Sequence, residues 1–199
     1  MMHRFAFWIV TAHLASALAG CSRSPQITFY TLEPGVQSEV TAPTTAAPSV
    51  SVGPVTLPDM VDRPQLVVRV AATRMDILEA HRWAEPLKSE IPRLVAENLR
   101  RLLGSSRVSS HLQHTAVDAD FSILIDIQRF EALPGKDVTI EAFWSLRRTT
   151  GGAPRTGRTL VSEPVDAIGY DPLVAAYSRA LLAVSQDMAR AVRKQVDPK

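Results

Sequence analysis

The sequence predicts an α/β protein of the layered α+β kind: a mixed, largely antiparallel sheet packed by two main amphipathic helices. Two windows carry apolar residues at helical spacing, one at 86–103 and one from Asp171 onward. Two others, 121–127 and 138–146, alternate apolar and polar residues with a Pro-Gly turn between them. Helices with one apolar stripe and strands with one apolar face must cover each other, and layers are the stable solution. The chain has 199 residues, 46% of them hydrophobic and 21% charged. That is the composition of an ordinary globular domain and enough chain for one core with tails.

The first segment reads as an address. Arg4 precedes an apolar stretch at 5–18, long enough for a signal-peptide core but short of the roughly 20 residues a membrane span needs. It ends in Leu18-Ala19-Gly20-Cys21, which resembles the lipobox of bacterial lipoproteins. The chemistry asks for a thiol that becomes a thioether to diacylglycerol, with small residues before it so that a peptidase reaches the bond. Residues 1–20 are thus expected to be a lipoprotein signal peptide, and Cys21 the lipidated first residue of the mature chain. Each buried acyl methylene adds about 0.8 kcal/mol, and two or more chains anchor stably. Ser22 follows. By resemblance to known lipoproteins, the absence of Asp there is compatible with the outer membrane. Cys21 is also the chain's one cysteine, so a disulfide framework and a Cys-based zinc site are excluded.

Residues 21–49 read as a lipid-anchored N-terminal strand and a Pro/Thr-rich linker. Ile27–Leu32 is β-branched and aromatic, hence a strand. Pro34, Pro43 and Pro48 then fall among Thr, Ala, Ser and Gly without periodicity. The folded body is expected at 50–197. Val50–Val55 reads as a strand ending at Pro54. Leu66–Val70 is a nearly continuous apolar run, as in a strand buried on both faces, and Met75–Glu79 could pair with it. Pro86–Leu103 is the first helix, with Leu87, Ile91, Leu94, Val95, Leu99, Leu102 and Leu103 on one face and Gly104 as its stop. Pro92 inside it predicts either a kink or a start near Glu90.

In Phe121–Ile127 the odd positions are apolar. Phe130 breaks that parity, which predicts a bulge near Gln128. After the turn at Pro134–Asp137, the residues Val138, Ile140, Ala142, Trp144 and Leu146 share one face, completing a long antiparallel hairpin. A second turn at 151–157 leads into a strand over Arg158–Asp166. Asp171-Pro172 opens the last helix as cap and first-turn proline. Its stripe is Leu173, Tyr177, Ala180, Leu181, Val184, Met188, Ala191 and Val192, and Arg190, Arg193 and Lys194 complement the dipole at its end.

Charge narrows the function classes. The whole chain has 22 basic and 20 acidic side chains. Removing 1–20 takes one Arg and no acid, leaving 21 against 20, or +1. That balance excludes a nucleic-acid or polybasic membrane binder. Phosphate-binding glycine loops and G-x-S-x-G elbows are also absent.

The remaining candidates have bland readings as well as functional ones. His111-Leu112-Gln113-His114 places two histidines three apart, but no third metal ligand is fixed by spacing. Asp118 and Asp120 read as a solvated strand start. His81 reads as a packed or surface histidine before a ligand or base. Arg82-Trp83-Ala84-Glu85-Pro86-Leu87 is the most distinctive stretch. It is first a helix start, with Trp83 stapled over Leu87 and Glu85 near the positive helix end. The alternative makes Trp83 an interface anchor. Asp62-Arg63-Pro64-Gln65 is a turn or a contact to a neighbouring subunit. Arg63, Pro64, Trp83 and Glu85 are therefore the candidate partner or oligomer contacts. No catalytic residue, cofactor or metal is expected.

Taken in order, several segments resemble the PqiC family of ABC-type transport auxiliary lipoproteins. They are Leu18–Cys21, Phe29–Leu32, Val52–Val55 with Leu57-Pro58, Asp62–Val67, Arg82–Leu87, Glu97–Leu99, Phe130-Glu131 and Ala142–Trp144. They run over nearly the whole mature chain, and the Pro/Thr-rich insertion at 36–49 departs from the pattern. The resemblance implies a lipoprotein anchored in the outer membrane through Cys21 and facing the periplasm. It implies a compact α/β domain with helices on a mixed sheet and no catalytic role. It also implies a partnership with an MCE-domain tunnel protein that carries lipids or other hydrophobic molecules between two membranes, and assembly into a homo-oligomeric ring that docks the tunnel's distal end. Two other readings stay open beside it. One is a lipid-binding module holding an acyl chain between helix and sheet, and the other is a periplasmic hydrolase using His81 or His114.

Overall fold

A computed structural model describes residues 26–35, 47–113 and 119–196. Among them are eight strands and two helices. In chain order these are β1 (Thr28–Tyr30), β2 (Val50–Thr56), β3 (Gln65–Ala71), β4 (Arg74–Trp83), α1 (Leu87–Leu103), β5 (Val108–Ser110), β6 (Phe121–Leu133), β7 (Asp137–Arg148), β8 (Arg155–Pro164) and α2 (Asp171–Val196). The class is mixed α+β, as the periodicities predict. The strands, however, divide into two sheets where the sequence predicts one. Five strands run in the order β5-β2-β6-β7-β8 and three in the order β1-β4-β3.

The hairpin β6–β7 is the backbone of the large sheet. Phe121, Ile123, Ile125 and Ile127 point inward, the register shifts between Ile127 and Arg129, and Phe130 and Ala132 then point inward in turn. The extra residue of the bulge is what lets Phe130 keep its place in the core after the parity break. β8 continues the antiparallel pairing, whereas β2 joins β6 in parallel and β5 joins β2 in parallel. Within β2, Gly53 has φ +109°, and a Cβ there would fall 2.1 Å from the His111 ring. Only glycine fits both that dihedral and that approach.

Both helices lie on the inner face of this sheet and touch each other, α1 over β2 and β5, α2 over β7 and β8. Leu87, Ile91, Leu94, Val95 and Leu99 of α1 are buried, as are all eight stripe residues of α2. Pro92 is accommodated in an unbroken α1 that starts at Leu87, one residue after Pro86 at the N-cap. Its ring sits early enough that a single backbone bond, to the Lys88 carbonyl, is forgone. Gly104 closes the helix in the left-handed conformation.

The small sheet packs β3 against β6. Leu66, Val67 and Val68 are buried, but Val70 is 40% exposed where the β3–β4 hairpin runs past the body. The two-faced burial expected of this strand thus holds for three residues. Arg82 and Trp83 end β4; they do not open α1. The early strand is shorter than its sequence span, yet it is fully part of the body: β1 pairs in parallel with His81–Trp83.

Candidate interaction surfaces

The structure gathers the four candidate contact residues at one corner. Trp83 N–H donates to the Pro64 carbonyl at 2.7 Å, Gln65 pairs with Arg82 across the strands, and Lys88 Nζ bridges Asp62 at 2.6 Å. Residues about 20 apart in sequence thereby become neighbours. Pro64 and Glu85 are exposed there and Arg63 is half-buried. The Arg63 Nε is shielded without a partner. Glu85 pairs with Arg93 at 3.0 Å, six positions into α1.

Trp83 does not present a surface at this corner. It is 5% exposed, and its ring meets Phe130 and Tyr177 edge-on at centroid distances of 6.3 and 5.9 Å. Phe130 and Tyr177 stack on each other at 4.1 Å. This aromatic triad joins β4, β6 and α2, so the indole locks the small sheet onto the large one.

A second arrangement was not predicted. Glu90 and Asn98 lie two helical turns apart on α1 and are each 1% exposed. Glu90 Oε1 accepts from Thr31 Oγ1 at 2.6 Å and from Leu32 N–H at 2.7 Å. Ser178 Oγ of α2 accepts from Glu33 N–H at 3.1 Å, and Asn98 Oδ1 accepts from Gly35 N–H at 3.2 Å. Arg101 donates to the Gly35 carbonyl. The chain following β1 is thus latched along both helices by side chains that replace the strand partner it lacks. Glu90 Oε2 is buried with no partner, beside a 290 Å³ cavity lined in part by Leu32, Leu94, Arg93 and Arg100. The signal was present in the sequence as two polar residues flanking an apolar stripe.

The outer face of the large sheet is partly apolar. Leu124, Phe143 and Leu160 are 37%, 43% and 54% exposed, and Pro54, Leu124 and Phe143 line a shallow 570 Å³ groove. Arg158 lies over the Phe143 ring at 5.8 Å and bridges Glu141 at 2.7 Å. On the other side, Trp144 turns inward to donate to Thr159 Oγ1 at 3.2 Å, and that hydroxyl donates to Asp187 Oδ2 at 2.7 Å.

Of the candidate titratable groups, His81, His111 and Asp120 are engaged in structure. His81 Nδ1 meets the Tyr30 hydroxyl at 2.8 Å and its ring lies 4.1 Å from that of Tyr170. Burial, reinforced by Asp171 and Tyr170, pushes the Tyr30 phenol above its usual range. The fully buried Tyr177 phenol is pushed up as well, mainly by desolvation. His111 Nδ1 approaches the Val52 carbonyl at 3.2 Å. Asp120 accepts from the amide and hydroxyl of Ser49 at 2.8 and 2.7 Å, and these bonds hold its carboxyl below the ordinary range. Among the described residues, no three His, Cys, Asp or Glu side chains are grouped to hold a metal ion. No helix among them is long and apolar enough to cross a membrane. Cys21, His114, Asp118 and positions 36–46 of the expected linker lie outside the described residues.

Residues 30–189, from the last residue of β1 through most of α2, match the family model of the ABC-type transport auxiliary lipoprotein component. The chain belongs to this family. Two solved structures share the family's fold with it. One is an uncharacterized protein at TM-score 0.68 and 18% identity, covering 84% of this chain and 99% of that one. The other is protein XCC0632 from Xanthomonas campestris, of the DUF330 family, at TM-score 0.66 and 19% identity, covering 86% and 99%. A PelC dodecamer from Paraburkholderia phytofirmans superposes at TM-score 0.40 with 12% identity, covering 74% and 94%, a likeness too loose to bear on assembly. No curated protein matches by sequence. As a member of this lipoprotein family the chain serves as an auxiliary component of a transport system.

Proposed function

We propose that this protein is a non-enzymatic docking subunit of an MCE-type intermembrane transport system for lipids or other hydrophobic molecules, held at the periplasmic face of the outer membrane by lipidated Cys21. The observation that carries the reading is the family match over 30–189 following a lipobox that ends at the chain's one cysteine. The docking subunit would meet an MCE-domain tunnel protein as a homo-oligomeric ring. The corner of Arg63, Pro64 and Glu85 is offered as a contact in that assembly, with Trp83 supporting it from beneath. Its exposed members, Pro64 and Glu85, stand on the bends that lead into β3 and α1, which the Trp83 N–H bond to the Pro64 carbonyl at 2.7 Å ties together.

Co-purification tests the proposal. The acylated chain, expressed with the MCE protein of its own operon, is expected to retain that protein after detergent extraction. Glu85→Gln is expected to weaken retention while lowering the melting temperature by no more than a few degrees, because an exposed ion pair such as Glu85–Arg93 contributes only about 0–1 kcal/mol. Failure to recover an MCE protein, even after crosslinking, would overturn the docking role. A Cys21→Ser chain that stays in the outer-membrane fraction would overturn the anchor.

A further inference from the structure

The loop between β8 and α2 holds the most exposed large apolar side chain described. Ile168 is 99% exposed, flanked by Ala167 and Gly169, with nothing packed over it. Its surroundings are not random. The ring of Tyr170, two residues on, lies tilted at 4.1 Å from that of His81, and His81 is the register partner of Thr28 in β1. Phe29 and Asp171 line one 450 Å³ cavity together with Val174 and Ala175 of the first turns of α2. The two outward positions of the N-terminal segment, Ile27 and Phe29, are 46% and 62% exposed. Three large apolar side chains from sequence-distant segments therefore stand free at the α2 N-terminal end of the molecule.

We propose that Ile168, with Phe29 and Ile27, forms a shallow membrane-contact patch that seats in the lipid surface to which Cys21 is attached. The inference rests on the lipid-anchor reading of Cys21. Ile27 is six positions after Cys21, so even a fully extended tether spans only about 20 Å. A bilayer within that distance is the nearest large apolar phase to these side chains. The chemistry favours apolar insertion over phosphate attraction. Of the basic side chains near this end, Arg179 is engaged with Glu163 at 3.3 Å and Asp166 at 3.4 Å, and Arg82, the register partner of Phe29, with Glu79 at 3.6 Å; exposed Lys136, whose carbonyl accepts from Val165 N–H, is offset by Glu33 and Asp171. The surface it fits is accordingly one of low net charge. Apolar side chains at an interface add affinity in proportion to the area they bury, and a few of them beside a covalent anchor fix orientation more than they fix attachment. The patch would hold the α2 axis steeply to the membrane, with the far end of the domain turned to the aqueous side.

The test uses the acylated full-length chain in vesicles of phosphatidylethanolamine with a minor fraction of phosphatidylglycerol. Acylation consumes the thiol of Cys21, so a cysteine introduced elsewhere is the one free thiol and takes an environment-sensitive fluorophore alone. Ile168→Cys and Phe29→Cys are compared with Val196→Cys. Val196 is also apolar and exposed, at 49%, but stands about 38 Å away along α2 by helix rise. The expected result is a blue-shifted emission at 168 and 29, with quenching by nitroxide-headgroup lipids several-fold stronger than at 196. Acylated protein that floats with vesicles while 168 is quenched as little, or as much, as 196 overturns the patch and leaves the anchor standing. Uptake of the fluorophore by the parent chain would reveal a free Cys21 thiol and overturn both.

Discussion

Replacing Glu90 by Ala isolates the latch that holds the N-terminal segment. The substitution leaves the buried Leu32 N–H, now 2.7 Å from its acceptor, without a partner, which costs about 1–3 kcal/mol. Thr31 also loses its bond, but Thr31 is exposed and water can replace it at little cost. A recovery opposes these losses: Oε2 is already buried and unsatisfied, so its removal relieves a desolvation cost. The net expected loss therefore falls toward the lower end of that range, about 1 kcal/mol. Glu90→Gln keeps an acceptor for Leu32 but puts an amide donor where Oε2 has none, and should fall between parent and Ala. Urea unfolding measures the global term. Amide exchange at Leu32, Glu33 and Gly35 measures the local one, and should accelerate in Glu90→Ala before exchange in the interior of α1 does. An unchanged urea midpoint together with unchanged exchange at Leu32 would show that the latch does not hold the segment.

Trp83→Ala should destabilise by about 3–5 kcal/mol as a large-to-small aromatic truncation, including the two edge-on contacts; a melting temperature equal to the parent's would refute a core role. Gly157→Ala places a methyl 2.0 Å from Trp144 Cζ2, so the indole must shift off its bond to Thr159, at about 1–3 kcal/mol; unchanged Trp fluorescence and stability would count against that packing. The Glu131 carboxyl lies below its usual range, first because Arg69 bonds it at 2.7 and 3.1 Å. Its folded value is below its unfolded one, so the stabilisation is present above the ordinary Glu value of about 4.3 and is lost as pH falls through the folded value. Glu131→Gln should therefore differ most from the parent in urea midpoint at neutral pH, and the difference should shrink toward acid; a gap independent of pH would refute the ion pair's part in it.

Much of the fold is written in local periodicity. The parity break at Phe130 marks the bulge in β6, and Asp171-Pro172 marks the start of α2. What local pattern cannot carry is partnership between distant segments. β2 pairs with β6 across some 70 positions and in parallel, a register that no turn specifies. β5 is three residues with two serines, a strand only because Val50–Val52 offers it a ladder. The division into two sheets follows from the same blindness: Leu66–Val68 announces burial without naming what buries it. Among the candidate contacts, Trp83 stood out by residue type, and type alone does not separate a core aromatic from a surface one. Glu90 was visible as a polar residue beside an apolar stripe, but its use depends on Leu32 arriving from 58 positions away.

The latch also sets how the domain bears load. A tether that leaves Gln26 in line with β1 would pull on the strand along its own axis, and the strand is followed by the Glu90, Ser178 and Asn98 contacts. Force applied that way shears the three paired positions and the side-chain latches together; it does not open them one after another. The attachment would accordingly resist tension in the direction of the anchor and yield to a pull that peels Gly35 away from α1. A protein held by its N-terminal end would be strong along the line of β1 and compliant where Gly35 is lifted from α1.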